Sequence, residues 1–128
     1  MSTLVIATRD SRTAFRPAED LEGTVAWQLD EPAGAVELRL IWFTRGKGTV
    51  DVELVSRERY ENPPREDERE FFFALPEAPY SFSGKLISLV WALEVVVERS
   101  KASERLEFVM APEGREVLLH PRPIGAEV

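Results

Sequence analysis

Few side chains in this sequence carry reactive chemistry, and their spacing limits what they can do. The one histidine, His120, sits in His120-Pro121-Arg122-Pro123, where the prolines favour extended backbone. A nucleophile needs a base held beside it, and a histidine on a solvated tail has no fixed neighbour to activate. Cysteine is absent, which removes thiol chemistry, disulfide staples and cysteine-based zinc sites together. Carboxylates are plentiful, the densest runs being Glu66-Asp67-Glu68 and Asp30-Glu31. Oxygen ligands of this kind hold Ca2+ in flexible loops. Calcium loops space such ligands at alternate positions, however, whereas Arg65 and Arg69 flank the first run and offset its charge. Arg45-Gly46-Lys47-Gly48 is basic and glycine-rich. It lacks the frame and terminal Lys-Ser/Thr of a phosphate loop, and its alternating apolar flanks make it a hairpin turn with a positive tip. No catalytic residue, cofactor or metal is expected from these patterns. A small-ligand or Ca2+-binding domain stands as the alternative to a purely protein-binding one.

The elements that would position such groups are bounded by composition. The chain has 128 residues, 44% apolar and 30% charged, with a net charge of −7. That is one domain's worth of polypeptide, with residues 1–120 expected to fold and 121–128 to form a flexible tail. The acidic balance disfavours nucleic acid and anionic membranes as partners. The most apolar run, Leu86–Leu93, is far shorter than the ~20 residues of a membrane span, so no integral membrane segment is expected. The first residues lack a basic leader, and a cytoplasmic location is the expectation.

Pro and Gly recur at short intervals, with alternating segments between them, which is the spacing of an all-β sandwich. Side-chain parity identifies the faces. Leu21, Val25, Trp27 and Leu29 share one face, opposite Glu22, Thr24 and Gln28. Val36, Leu38, Leu40 and Trp42 oppose Glu37 and Arg39, with Ile41 and Phe43 on the outer side. Val50, Val52 and Leu54 oppose Asp51, Glu53 and Arg57, and Leu106, Phe108 and Met110 oppose Glu107. Residues 61–70 read as a polar loop. For 84–99 a helix competes, because Leu86, Leu89, Val90, Leu93 and Val97 also fit a 3.6-residue period. Its β-branched residues and Trp91 favour a strand. Its fifteen residue-to-residue steps, fully extended, would span about 50 Å, so this strand is expected to bend or cross between sheets.

Two stretches together resemble the arrestin-like superfamily. Phe15-Arg16-Pro17-Ala18-Glu19-Asp20-Leu21-Glu22-Gly23-Thr24-Val25 is similar to that family's opening turn and strand. Ala18 stands where the family usually has Gly. Phe71-Phe72-Phe73-Ala74-Leu75-Pro76-Glu77-Ala78-Pro79-Tyr80-Ser81-Phe82-Ser83-Gly84, with Leu86–Val97 after it, resembles its phenylalanine-rich strand, Leu-Pro turn and long apolar strand. The second stretch also reads as a corner between sheets. Pro76 cannot continue a ladder, Phe82 can pin the loop to the core, and Gly84 would permit a positive φ or a tight entry to the next strand. The resemblance implies an immunoglobulin-like (arrestin-like) antiparallel β-sandwich of about seven to eight strands with an adaptor or scaffold role. Members generally carry two such sandwiches and this length holds one, so activation through a second domain is not carried over.

The remaining signal is apolar area on an outer face. Ile41 and Phe43, with Val90 and Val96 from the long strand, would be exposed unless something covers them. Sheet edges and outer apolar patches invite pairing. With the basic tip at Arg45 and Lys47, these six residues form the candidate interaction surface, for a protein partner or a second copy of the chain.

Overall fold

The computed structural model describes residues 2–46, 50–113 and, as backbone, 117–119. Ten strands follow in order: β1 Thr3–Thr8, β2 Ala14–Phe15, β3 Asp20–Gln28, β4 Ala35–Gly46, β5 Val52–Glu61, β6 Glu66–Ala74, β7 Phe82–Gly84, β8 Ile87–Val97, β9 Ser103–Met110 and β10 Val117–Leu119. Three of them, β2, β7 and β10, are only two or three residues long. A 3-10 turn, Arg9–Ser11, follows β1. No helix among the described residues is long and apolar enough to cross a membrane.

The strands form an all-β sandwich. The smaller sheet is antiparallel, in the order β1-β3-β6. In the larger, β5-β4-β8 run antiparallel, and β7 and β9 share the far edge of β8. The short β10 and β2 pair in parallel with β7 and β9. Leu38 and Leu40 of β4 and Trp91, Leu93 and Val95 of β8 meet Leu21, Val25 and Trp27 of β3 and Phe71 and Phe73 of β6 between the layers. Each such aliphatic side chain removed from water contributes about 1.5–3 kcal/mol.

The stretch open to a helical reading is strand β8. It pairs with β4 from Ile87 to Val97 and stays within the larger sheet, so the expected crossing between sheets does not occur. It needs none, because its eleven residues begin at Ile87 rather than Gly84. The crossing is made by residues 75–81, which lead from β6 in one sheet to β7 in the other. Leu75 is buried there, and the Trp91 indole N–H donates to the Pro79 carbonyl at 2.8 Å. Ser81 N–H donates to the Met110 carbonyl at 2.8 Å, and Met110 N–H donates to Ser81 Oγ at 2.9 Å. Phe82 packs against the core. Gly84 lies in β7 without a positive φ; that conformation belongs to Gly34 and Gly46. Ala18, at the position where the resembled family has Gly, takes φ 64, a region that costs a side-chain-bearing residue.

Two local expectations fail for one reason, the behaviour of edge strands. Residues 66–70 are not loop: they are the first half of β6, paired from Gln28↔Glu66 to Thr24↔Glu70. An edge strand with a solvated outer face tolerates charge that sequence reading assigns to a loop. Val50, Val52 and Leu54 are not in the core either, being 55%, 59% and 45% exposed. The β4–β5 register shifts between Leu40 and Ile41, pairing Leu40 with Ser56 but Ile41 with Leu54. This bulge at Val55 turns Val52 and Leu54 to the outer face, beside Phe43 and Ile41.

Candidate interaction face

Outer-face geometry starts from the β4–β8 register, which sets Ile41 opposite Ala92 and Phe43 opposite Val90. These residues form an apolar cluster separate from the inter-sheet core. Ile41 and Phe43 are nonetheless only 2% and 4% exposed. Over Phe43 lies a roof of charged side chains. The Arg105 and Arg45 guanidiniums lie 4.6 and 5.3 Å from the Phe43 ring centroid. Arg45 is held by Glu107 at 2.6 Å and Arg105 by Glu94 at 2.8 Å. Long cationic side chains thus spread their stems over apolar area and satisfy their heads with carboxylates.

Further along the same face, the Glu37 side chain is 7% exposed and meets Arg39 at 2.7 Å, Arg59 at 3.4 Å and Arg57 at 3.9 Å. Burial alone would push the Glu37 carboxyl up. The three guanidiniums outweigh burial and hold it below its ordinary value. Arg59 also bonds Glu61 and Glu98, which raise its pKa further. Val96, opposite Glu37 on β8, is half-buried, as is Val90. Of the six candidate residues, the register brings Ile41, Phe43 and Val90 together under Arg45. Val96 lies apart from them, and Lys47 lies outside the described residues, as does His120.

The apolar cluster surfaces at the edge. Val52 and Leu54 continue the Phe43–Ile41 row and are exposed. Among the described residues, strand β5 pairs only with β4, which leaves the main-chain donors and acceptors of its other side without a strand partner there. The β6 edge lies on the same side of the sandwich, because Arg69 of β6 stacks 5.3 Å from the Tyr60 ring of β5. Tyr60 in turn lies 5.5 Å from Trp27. An open cavity of about 860 Å3 spans this side, lined among others by Arg9, Glu22, Glu58, Tyr60, Glu70 and Phe72. Arg9 is committed to Glu22 at 2.9 Å. Glu58 and Glu70 have no ion-pair partner among the described residues.

Tyr60, Glu58 and Glu70 escaped sequence reading. The only signal for them was the alternation of Glu66, Glu68 and Glu70 with Asp67 and Arg69, a strand pattern written in charged residues. Among the described residues, no group of three or more His, Asp or Glu lies close enough to hold a metal ion. Asp67 is instead bonded to Arg69 at 2.6 Å.

No family model matches the sequence, and no curated protein matches it. Among solved structures, the sporulation control protein Spo0M from Bacillus subtilis is similar over 86% of this chain and 49% of its own, with a TM-score of 0.64 at 16% identity. The chain therefore spans about half the length of Spo0M. At this identity the likeness concerns fold alone, and it supports the all-β sandwich described above. A β-glucosidase from Listeria innocua, in complexes with gluconolactone and with isofagomine, is similar over 91% of this chain and 17% of its own. The TM-score is 0.48 in both cases, at 16% and 17% identity, and carries no argument.

Proposed function

We propose that this domain is a non-catalytic protein-interaction module, an adaptor or scaffold of arrestin-like type, that takes an extended segment of a partner as an added strand on the β5 edge. One observation carries the reading. Strand β5 is ten residues long, is paired on one side only among the described residues, and is exposed at every position except Tyr60. An unpaired edge supplies main-chain hydrogen bonds, and side-chain surroundings on its two faces supply selectivity. Here the faces differ, with the exposed Val52–Leu54 pair on one and the cavity on the other. The charged roof leaves Ile41 and Phe43 as support beneath that edge rather than as contact residues. A second copy of the chain is one partner this geometry admits. The absence of cysteine supports a cytoplasmic setting.

A Val52→Lys/Leu54→Lys variant tests the reading, since lysine on an edge blocks pairing. Both positions are exposed, so the variant is expected to keep its circular dichroism spectrum. It should lose the partners that the wild-type protein retains from cytosol and any self-association seen by sedimentation. A variant that keeps the same partners at the same yield counts against edge pairing.

A further inference from the structure

The chemistry of the bound segment can be read one step further, on the premise that β5 is the docking edge. We infer that β5 accepts an extended segment carrying Lys or Arg at alternate positions, with those cations facing the cavity and apolar residues between them facing outward. In an added strand, alternate side chains fall on opposite faces. The register assigns those faces. Glu53, Ser56, Glu58 and Tyr60 lie opposite Trp42, Leu40, Leu38 and Val36 and so share the inner face. Val52 and Leu54 share the outer face with Phe43 and Ile41.

On the inner side, incoming side chains lie beside Glu53, Ser56 and Glu58 of β5, and Glu70 of β6 lines the same cavity as Glu58. The nearby cations are already matched, Arg9 by Glu22 and Arg69, beside Tyr60, by Asp67. An apolar or acidic side chain placed there would leave carboxylates desolvated or opposed by like charge, whereas a cation satisfies them. On the outer side, an apolar residue beside Val52 or Leu54 would extend the row that ends at Phe43 and Ile41. Charged edge residues protect a sheet from indiscriminate pairing. Here the same carboxylates make the edge selective, because what rejects most strands is matched by one class of strand. The usual strand length sets the segment at about five or six residues.

Three peptides of equal length, alternating Val with Lys, with Gln or with Glu, are titrated into the 15N-labelled full chain while the β5 amide resonances are followed. The Lys peptide is expected to shift β5 amides and to bind about tenfold tighter than the Gln peptide, a difference of about 1.4 kcal/mol, with the Glu peptide weakest. Glu58→Gln/Glu70→Gln should abolish that preference. Glu31→Gln/Glu77→Gln removes the same charge from the β3–β4 turn and the β6–β7 corner, outside the cavity lining, and should preserve it. Equal β5 binding by the Lys and Gln peptides overturns the inference and leaves edge docking standing. Loss of preference in both double variants overturns it too, because overall charge then explains the attraction. If no peptide shifts β5, edge docking fails and this inference fails with it.

Discussion

The two long sides of the sandwich are finished in opposite ways. On the β8–β9 side the chain stitches the layers together. The segment after β1 leaves the smaller sheet and enters the larger as β2, with Val109 N–H donating to the Thr13 carbonyl and Ala111 N–H to the Phe15 carbonyl. Phe15 meets Phe108 edge to face at 5.5 Å, and Phe108 packs on Trp91 at 6.1 Å. On the β5–β6 side the chain crosses at the turn 62–65, where Leu29 N–H reaches the Arg65 carbonyl. Beyond Tyr60 and Arg69 the layers part around a cavity. One side spends its residues on stability, and the other leaves main chain unpaired.

Identical truncations on the two sides should therefore differ most. Leu93→Ala removes a fully buried side chain and is expected to cost about 2–5 kcal/mol. Leu54→Ala, on the open edge, should stay within about 0.5 kcal/mol. Urea denaturation midpoints at constant m-value give both numbers, and similar losses would mean that the β5 edge is not open. Gly23→Ala probes the smaller sheet between these extremes. A Cβ there would lie 2.1 Å from the Ala7 carbonyl oxygen and 2.7 Å from the Phe71 ring, so a loss of about 1–3 kcal/mol is expected from overpacking, read as a drop in thermal midpoint.

Glu37 sharpens the comparison through pH. Its carboxyl titrates below the ordinary 4.5 in the folded chain, so its stabilisation is complete above that value and is lost as pH falls through the folded pKa. Glu37→Gln is expected to cost about 1–2 kcal/mol at neutral pH, discounted because its arginine partners are partly exposed. It should also flatten the stability profile below pH 4.5. An unchanged profile would show that the charged roof contributes no net stability. One expected effect is a gain. Ala18→Gly relieves the positive φ and should stabilise by about 0.5–1 kcal/mol, the relief being offset in part by glycine's freedom when unfolded. Differential scanning calorimetry reads it.

The well-packed side is also the part that residue types reveal best. Alternation in Val36–Trp42 and Leu106–Met110 identified core faces correctly, and Phe71 through Gly84 marked the corner between sheets. Trp91 and its β-branched neighbours outvoted a helical period because β8 is buried along most of its length. The open side was misread wherever an edge strand carried charge, at 66–70, or a bulge reversed parity, at Val55. Ile41 and Phe43 were rightly assigned to the outer face. Part of the cover of Phe43 came from Arg105, 62 residues beyond it in the chain, and only strand register brings the two together. The cavity-lining pair Glu58 and Glu70 depended on the same long-range pairing, which no local pattern encodes.

Two indole groups hold the connections at either end of β6. Trp27 donates to the Pro64 carbonyl at 2.9 Å before the strand, and Trp91 to the Pro79 carbonyl after it. Each tryptophan thereby becomes an intrinsic optical reporter for one flank of the molecule. Because Trp27 also leans on Tyr60, occupancy of the β5 rim should alter its emission while Trp91 stays silent. Single-tryptophan versions of the protein would then tell which flank a ligand has visited without any attached dye.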